Sequence, residues 1–165
     1  MEQQEYAQRG YLREDFRLFH LKGAMEEQLD WHYHTFHKLI FFLGGQSGYG
    51  VEGRSYPLEP GDVILVPQGC VHRPEAAPGA PYERVILYLS PDYLARAGTA
   101  DCPLDSCFAL ATARFRFVLR PQEGRQALRR TLFALESASA QPGFGQELLA
   151  KALLTQLLIL LRRAM

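Results

Sequence analysis

The sequence predicts a mainly β chain, in which a barrel or sandwich of short strands is followed by a pair of helices. Up to about residue 120, short apolar or alternating segments are separated by glycine and proline turns, which is typical of all-β barrels and sandwiches. Beyond that point the apolar residues recur with the period of a helix. We therefore predict a β-barrel over residues 1–120 and a helical segment over residues 121–165.

Each predicted strand is a short apolar or alternating run that stops at a turn. Residues 38–43 are apolar on both faces, as in a strand packed on two sides, and they end at the turn signal Gly44-Gly45. Gly53-Arg54 and residues 59–62 are further turn signals. The predicted strands cover residues 15–22, 38–43, 48–52, 55–58, 63–66, 84–89 and 113–119.

The helical segment consists of two amphipathic runs. Leu128, Leu132 and Leu135 recur at i, i+4 and i+7, which places them on one face of a helix. Pro142-Gly143 breaks the chain, and the following residues 145–165 are rich in leucine. These leucines exceed what one stripe can bury, and exposed apolar surface favours association. We expect a homodimer through these helices, with a single αα-hairpin docked on its own barrel as the alternative.

The composition is that of a single globular domain and excludes some partners. The 165 residues carry 18 basic and 18 acidic side chains, so a chain that neutralises DNA phosphates by itself is not expected. The most apolar stretch, residues 153–161, is too short to span a bilayer. Three cysteines without a CxxC pair, and a polar N-terminus without a signal-peptide pattern, predict free thiols in the cytoplasm.

Four histidines form the candidate site. His32, His34 and His37 lie within six residues, and His72 follows a Pro-x-Gly turn much later in the chain. Residues i and i+2 of a strand share a face, so His32 and His34 project together. His72 could meet them across the barrel interior. Three imidazoles from two strands suit a divalent metal such as Zn, Ni, Mn or Fe.

Two neighbouring residues leave alternatives open. By parity His37 lies on the face opposite His34, and it would become a metal ligand only through a β-bulge. Lys38 shares the parity of His34, and a cation inside the barrel would select an effector with a carboxylate or phosphate. The alternative for Lys38 is a position near the strand edge, with the ammonium in water. The alternative for the histidines is a metal-free pocket that hydrogen-bonds an organic ligand.

Two motifs resemble those of cupins. Residues 61–72, with the pattern Gly, five residues, Pro-x-Gly, two residues, His, resemble the second cupin motif, and residues 30–34 (DWHYH) resemble the first. The resemblance implies a jelly-roll barrel, also called a double-stranded β-helix. It also implies a site of three histidines and one glutamate. Here Lys38 occupies the position of the glutamate, and Ala76 the position of the closing asparagine of the second motif, so the full ligand set is lost.

Residues 12–163 as a whole resemble the N-terminal domain of AraC-family regulators. The run from His32 to Glu75, then PYERVILYLSPDYL and FGQELLAKALLTQLLILL, carry this resemblance. It implies a cupin-like barrel that binds a small effector, often a sugar or related metabolite, beside helices that commonly dimerise. It also implies a separate C-terminal domain with two helix-turn-helix units, about a hundred residues long. We expect that DNA-binding domain to lie outside this chain.

These observations lead to one preferred function and two alternatives. The preferred function is a sensor that is not an enzyme, with an effector pocket formed by His32, His34, Lys38 and His72. Its effector would be a sugar or an anionic metabolite. The first alternative is a metal-dependent cupin enzyme, a dioxygenase or an isomerase, with ligands His32, His34 and His72. The second is a pure dimerisation module whose barrel is empty.

Overall fold

The structure, a computed structural model, describes residues 5–25 and 28–165. The described residues form ten strands and four helices. The strands are β1 (Ala7–Gln8), β2 (Phe16–Leu21), β3 (His32–Tyr33), β4 (His37–Gly45), β5 (Gly48–Val51), β6 (Arg54–Pro57), β7 (Val63–Val66), β8 (His72–Glu75), β9 (Tyr82–Leu89) and β10 (Val118–Leu119). The helices are α1 (Pro91–Ala97), α2 (Ser106–Arg114), α3 (Arg125–Ala140) and α4 (Gln146–Arg163).

The strands form two five-stranded sheets that share one hydrophobic core. The first sheet has the order β1-β3-β8-β5-β6 and the second has the order β10-β7-β4-β9-β2. All neighbours are antiparallel except β1 and β3, which run parallel. In the second sheet β4 and β7 are buried along most of their length, in agreement with their continuous apolar sequences. The predicted mainly β architecture is therefore correct.

Two glycine positions determine how the strands turn. Between β5 and β6, Glu52 and Gly53 both have positive φ (51° and 77°), which is the geometry of a tight two-residue hairpin. Near the end of β4 the register with β9 shifts between Phe42 and Gly44, and Gly45 follows with φ 109°. A Cβ at Gly45 would collide with the backbone carbonyl of Pro81, so only glycine fits there.

Two helices before residue 120 were not predicted. Helix α1 begins at an N-cap, Ser90, whose hydroxyl accepts a hydrogen bond from the Tyr93 N–H at 3.2 Å. Helix α2 extends to Arg114, so the predicted strand over residues 113–119 is wrong except for Val118 and Leu119. Phe115 ends the helix in the left-handed region, and only the two residues of β10 pair with β7.

The C-terminal helices pack on each other and on the barrel. The predicted apolar face of α3 is buried, and α4 contributes Leu154, Leu157, Leu158 and Leu161 to the same core. Other apolar residues stay exposed, namely Leu148 and Leu149 in the first turn of α4 and Phe144 just before the helix. In the described parts of the chain, no helix has the length and hydropathy needed to cross a membrane.

Two polar contacts join segments that are distant in sequence. The buried Asp62 carboxylate, just before β7, accepts two hydrogen bonds of 2.8 Å from the Arg120 guanidinium and one from the Glu59 N–H. His20 on β2 lies between two carboxylates, that of Glu83 on β9 at 2.9 Å and that of Glu136 on α3 at 2.5 Å. The first contact joins the turn before β7 to the residue that follows β10, and the second joins β2 and β9 to α3.

Candidate functional site

Three histidines converge inside the barrel. His32 belongs to β3, His34 follows that strand directly, and His72 begins β8 as the paired partner of His32. The ring centroids are 5.0 Å apart for His32 and His34, 4.5 Å for His32 and His72, and 4.7 Å for His34 and His72. One nitrogen of each ring lies within 4.8 Å of the others, and all three side chains are buried. We call these three residues the histidine cluster.

Backbone carbonyls fix the orientation of each ring. The Nδ1–H of His32 donates to the carbonyl of Asp30 at 2.8 Å, and that of His72 donates to the carbonyl of Cys70 at 2.9 Å. The Nδ1–H of His34 donates to the carbonyl of Arg9 at 2.5 Å. With the proton on Nδ1, every Nε2 carries a lone pair. The Nε2 atoms of His34 and His72 are buried and have no partner within the described residues.

Burial keeps the cluster neutral. It lowers the pKa of His72 to about 2 and that of His34 to about 4, and it also lowers the pKa of His32. The positive charge of Lys38 contributes in the same direction to all three pKa values. The histidines are therefore unprotonated at neutral pH, which is the form that binds a metal or accepts a hydrogen bond.

The cluster fits a divalent metal ion. Neutral imidazole nitrogens suit Zn, Ni and Fe, and metal-bound histidines usually donate their other ring N–H to a carbonyl or carboxylate. The three Nδ1–H bonds to backbone carbonyls have that arrangement. The two buried Nε2 atoms without a partner supply further evidence, since orphaned polar atoms are costly unless something satisfies them. His32, His34 and His72 would be the ligands.

Lys38 borders the cluster and is closed off from solvent. Its side chain is buried, and Nζ donates to the hydroxyl of Tyr49 at 3.4 Å. The ring of Tyr88 lies 5.9 Å from Nζ. Burial lowers the pKa of Lys38 to about 8, with a smaller contribution from the charge of Arg84. The strand-edge alternative, in which the ammonium reaches water, does not describe this structure.

His37 does not join the cluster. Its ring stacks on Phe108 of α2 with centroids 4.3 Å apart, and its Nδ1 accepts a hydrogen bond from the Gln68 N–H at 3.0 Å. Burial lowers its pKa to about 4. The bulge in β4 lies at its far end, between Phe42 and Gly44. It therefore does not change the face of the strand on which His37 lies. The interpretation of His37 as a metal ligand is therefore wrong for this structure.

The residues that cover the cluster were not identified from the sequence. The N-terminal arm, residues 5–10, pairs with β3 through β1, and its Arg9 carbonyl is the acceptor for His34. Phe36 stacks on His34 with centroids 4.7 Å apart. The arm is polar and carries no sequence signal of burial, whereas Phe36 lies in the histidine run and could have been included. An open cleft of about 620 Å³ lies elsewhere, between residues 13–18 and the start of α4.

The chain matches the family model described as the AraC-like ligand binding domain over residues 18–158. Several solved structures are also similar. A cupin-like protein from Thermotoga maritima is 20% identical with a TM-score of 0.42, over 48% of this chain and 60% of that protein. The polyketide cyclase RemF from Streptomyces resistomycificus is 24% identical with a TM-score of 0.40, over 44% and 53%. Bacillus subtilis oxalate decarboxylase, described with Mn(II) centres, is 20% identical with a TM-score of 0.37, over 47% and 22%.

The comparisons support the predicted fold and show how much of each similar protein this chain covers. The chain spans less than two thirds of the Thermotoga protein's length. A comparison with the curated proteins found no match. The predicted fold class, a mainly β cupin barrel followed by C-terminal helices, is confirmed by the family model together with the two sheets and the helices α3 and α4.

Proposed function

The chain belongs to the family of AraC-like ligand-binding domains, and from this premise we propose that it is the effector-sensing and dimerisation part of an AraC-type transcription regulator. Family membership supports a small-molecule effector. The finer assignments, namely the pocket residues, the class of effector and the partners, are parts of the proposal. We assign residues 1–120 to the sensor barrel and residues 121–165 to the dimerisation segment.

The observation that carries the proposal is the set of unsatisfied Nε2 atoms in a closed interior. His34 and His72 each present a buried lone pair without a partner within the described residues, and Lys38 presents an ammonium beside them. A buried acceptor without a donor costs free energy, so an effector with hydroxyl groups would be stabilised there. A sugar supplies such hydroxyls, and an anionic metabolite supplies in addition a partner for Lys38.

The N-terminal arm offers a route for the signal. Its Arg9 carbonyl is bound to His34, so an effector that turns the His34 ring changes the contact that holds the arm. A ligand shifts such an equilibrium only by its different affinity for the two arrangements. We propose that arm position is one readout of occupancy. Conformational change would then be passed to the helical segment and to the regulator's remaining parts.

The proposed partners follow from charge and exposed apolar surface. Phe144, Leu148 and Leu149 give α4 an uncovered apolar end, which supports a homodimer through the C-terminal helices. The formal net charge is zero, so we propose that DNA contacts belong to a separate domain outside this chain. A cytoplasmic location is part of the same proposal, and the three described cysteines are free.

A second candidate function is a metal-dependent cupin enzyme, a dioxygenase or an isomerase. The fixed tautomers of the histidine cluster favour it, because three neutral Nε2 atoms suit a metal with open positions. Such a group would supply Lewis-acid chemistry, while His32, His34 and His72 hold it. Lys38 beside the cluster argues for the sensor instead, since it offers a cation where a ligand carboxylate is expected. We propose that the chain is not an enzyme.

A thermal-shift screen of sugars, sugar acids and phosphates, with and without EDTA, tests the sensor proposal. A ligand at a hundred times its Kd should add about 2.7 kcal/mol to the free energy of unfolding, which is a rise in Tm of roughly 5–10 °C for a domain of this size. The shift should vanish in His72→Gln and persist in the matched variant His37→Gln, which lies outside the cluster. A screen without any shift would contradict the proposal, and turnover of a compound with stoichiometric metal would favour the enzyme.

A further inference from the structure

The histidine cluster and Lys38 occupy one common interior. Tyr49 contacts both, because its hydroxyl accepts from Lys38 Nζ at 3.4 Å and its ring stacks on that of His72 with centroids 6.2 Å apart. Tyr88 also lies beside both, with its ring centroid 5.9 Å from Lys38 Nζ and 6.0 Å from that of His34. A charge bound at the three Nε2 atoms would therefore lie near the Lys38 ammonium, whose charge already acts on all three histidines.

Among the described residues, no acidic side chain acts on the three histidines or on Lys38. The group of converging metal-binding atoms contains histidines alone in the described chain. The charged side chains that act on the four residues are basic, namely Arg9 and Lys38 for the histidines and Arg84 for Lys38. A divalent cation placed on the cluster would thus add two positive charges to a buried site that already holds an ammonium. Buried charges of one sign repel strongly and need a counter-charge.

We propose that the site binds a divalent metal together with a small chelating carboxylate, and that neither binds tightly without the other. The inference rests on the proposed sensing function and names its ligand class. The carboxylate would lie between the metal on the three Nε2 atoms and the Lys38 ammonium, with the Tyr49 hydroxyl as a further hydrogen-bond partner. It supplies the negative charge that an acidic side chain would otherwise provide.

Coordination and space narrow the ligand class. Three histidines leave open positions on a metal that takes six ligands, and a carboxylate with an adjacent hydroxyl or keto oxygen fills two of them as a chelate. All four side chains are buried, so the ligand must be small. A 2-hydroxy or 2-oxo acid of about three carbons meets both conditions. A neutral compound of the same shape does not offset the charge.

Calorimetric titration of the EDTA-stripped and dialysed protein tests this dependence. Ni²⁺ is titrated with and without lactate, and lactate is titrated with and without Ni²⁺. Coupling is reciprocal, so each should tighten the other by the same factor, on the order of tenfold or more. Lactamide, which has the same shape without the charge, should produce no tightening, and acetate, which cannot chelate through a second oxygen, should produce less than lactate.

Substitutions at Lys38 separate the charge argument from simple metal binding. Lys38→Glu supplies a carboxylate, so Ni²⁺ should bind tightly without lactate. Lys38→Gln removes the charge, so Ni²⁺ should bind more tightly alone and the gain from lactate should shrink. Far-UV circular dichroism and Tm verify folding. Tyr49→Phe, which loses only the hydroxyl, should also reduce the tightening of Ni²⁺ binding by lactate, but by less than Lys38→Gln does.

The outcomes distinguish this inference from the sensing function itself. Equal Ni²⁺ affinity with lactate, with lactamide and with neither overturns the inference. The same holds if Lys38→Glu fails to relieve the need for an anion although the variant is folded. If a neutral sugar stabilises the EDTA-treated protein while Ni²⁺ and lactate show no coupling, the sensor stands and the metal–carboxylate site falls. If no small molecule stabilises the protein, with or without metal, both fall.

Discussion

Histidines have two different roles within one six-residue segment, residues 32–37. The tautomers of His32 and His34 are fixed by backbone carbonyls that accept from Nδ1, which leaves a lone pair on each Nε2. His37 has the opposite arrangement, since its Nδ1 accepts from the Gln68 N–H and its ring stacks on Phe108. Strand parity predicted this division between the two faces. The acceptor carbonyl of Arg9 could not be predicted, because it comes from a polar arm 25 residues away.

The neutral state of His37 predicts an acid-sensitive stability. Its pKa is about 4 in the folded chain because of burial, against 6.5 for an exposed histidine. Between these values only the unfolded state takes up the proton, so this contribution to stability is present above pH 6.5 and declines as the pH falls. From pH 7.5 to pH 5 the free energy of unfolding should drop by about 2 kcal/mol on account of this residue.

Urea unfolding of the wild type and of His37→Gln, at several pH values in EDTA, measures this contribution. The glutamine can still accept the Gln68 N–H through its carbonyl, but it does not titrate. The variant should therefore lose less stability between pH 7.5 and pH 5, by about 2 kcal/mol. Parallel pH profiles for the two proteins would show that His37 is not held neutral by the fold.

At the scale of elements, the strands were more predictable than the helices before residue 120. Apolar runs between turns predicted β4 and β7, because burial on two faces leaves a continuous apolar sequence, and the run over residues 84–89 predicted most of β9. Helix α1 carried a readable signal, with Ser90 as N-cap and Pro91 in the first turn. Helix α2 did not, since Asp105 makes no side-chain cap and the alternation of residues 115, 117 and 119 resembles a strand. Helix α2 therefore depends on tertiary packing that no local pattern reports.

The end of β4 should be intolerant of any residue but glycine. Gly45→Ala combines a positive φ with a collision against the Pro81 carbonyl, so it should cost more than about 3 kcal/mol of stability. Gly53→Ala is the matched control, because it also has positive φ but nothing lies near its added Cβ. That variant should lose only about 1–2 kcal/mol. Similar losses in urea unfolding would argue against the backbone collision at Gly45.

The stabilisation by the Asp62–Arg120 ion pair should depend on the burial of the Asp62 carboxylate. Asp62→Ala removes the acceptor for the Arg120 guanidinium and for the Glu59 N–H, so we expect a loss of about 2–3 kcal/mol. Glu59→Ala is the control, since its exposed carboxylate contacts the same guanidinium at 3.0 Å. An exposed ion pair contributes little, so this loss should stay below about 1 kcal/mol. Equal effects in chemical denaturation would contradict the assignment.

For the whole molecule, the sequence predicted a β-barrel with helices behind it but overestimated how much of α4 is free for a partner. Leu154, Leu157, Leu158 and Leu161 pack within the chain, because α4 lies against α3 and α2. Only the apolar residues at its start remain uncovered. The count of leucines could not show this, since helix contacts with α2 required a helix that the sequence pattern hid. A dimer interface, as proposed, would centre on the start of α4.

Substitution at this uncovered end tests the proposed dimer. Leu148→Lys, at a side chain that is 75% exposed, should weaken self-association at least tenfold and leave the Tm of the dilute protein unchanged. Leu157→Ala, at a fully buried side chain, should instead cost about 2–5 kcal/mol of stability. Sedimentation velocity over a concentration series measures the first effect. An unchanged association constant in Leu148→Lys would place any dimer contact elsewhere.

The packing of Trp31 gives the protein a built-in optical reporter. It is the only tryptophan of the chain, it precedes His32 directly, and its ring lies under the Arg73 guanidinium at 4.7 Å. Gly50 makes room for the indole, since a Cβ there would collide with it. Its fluorescence therefore comes from a single position beside the cluster. Titration with Ni²⁺ should quench that emission without any label, and a change in emission wavelength with a colourless effector would report movement of the segment that carries His32.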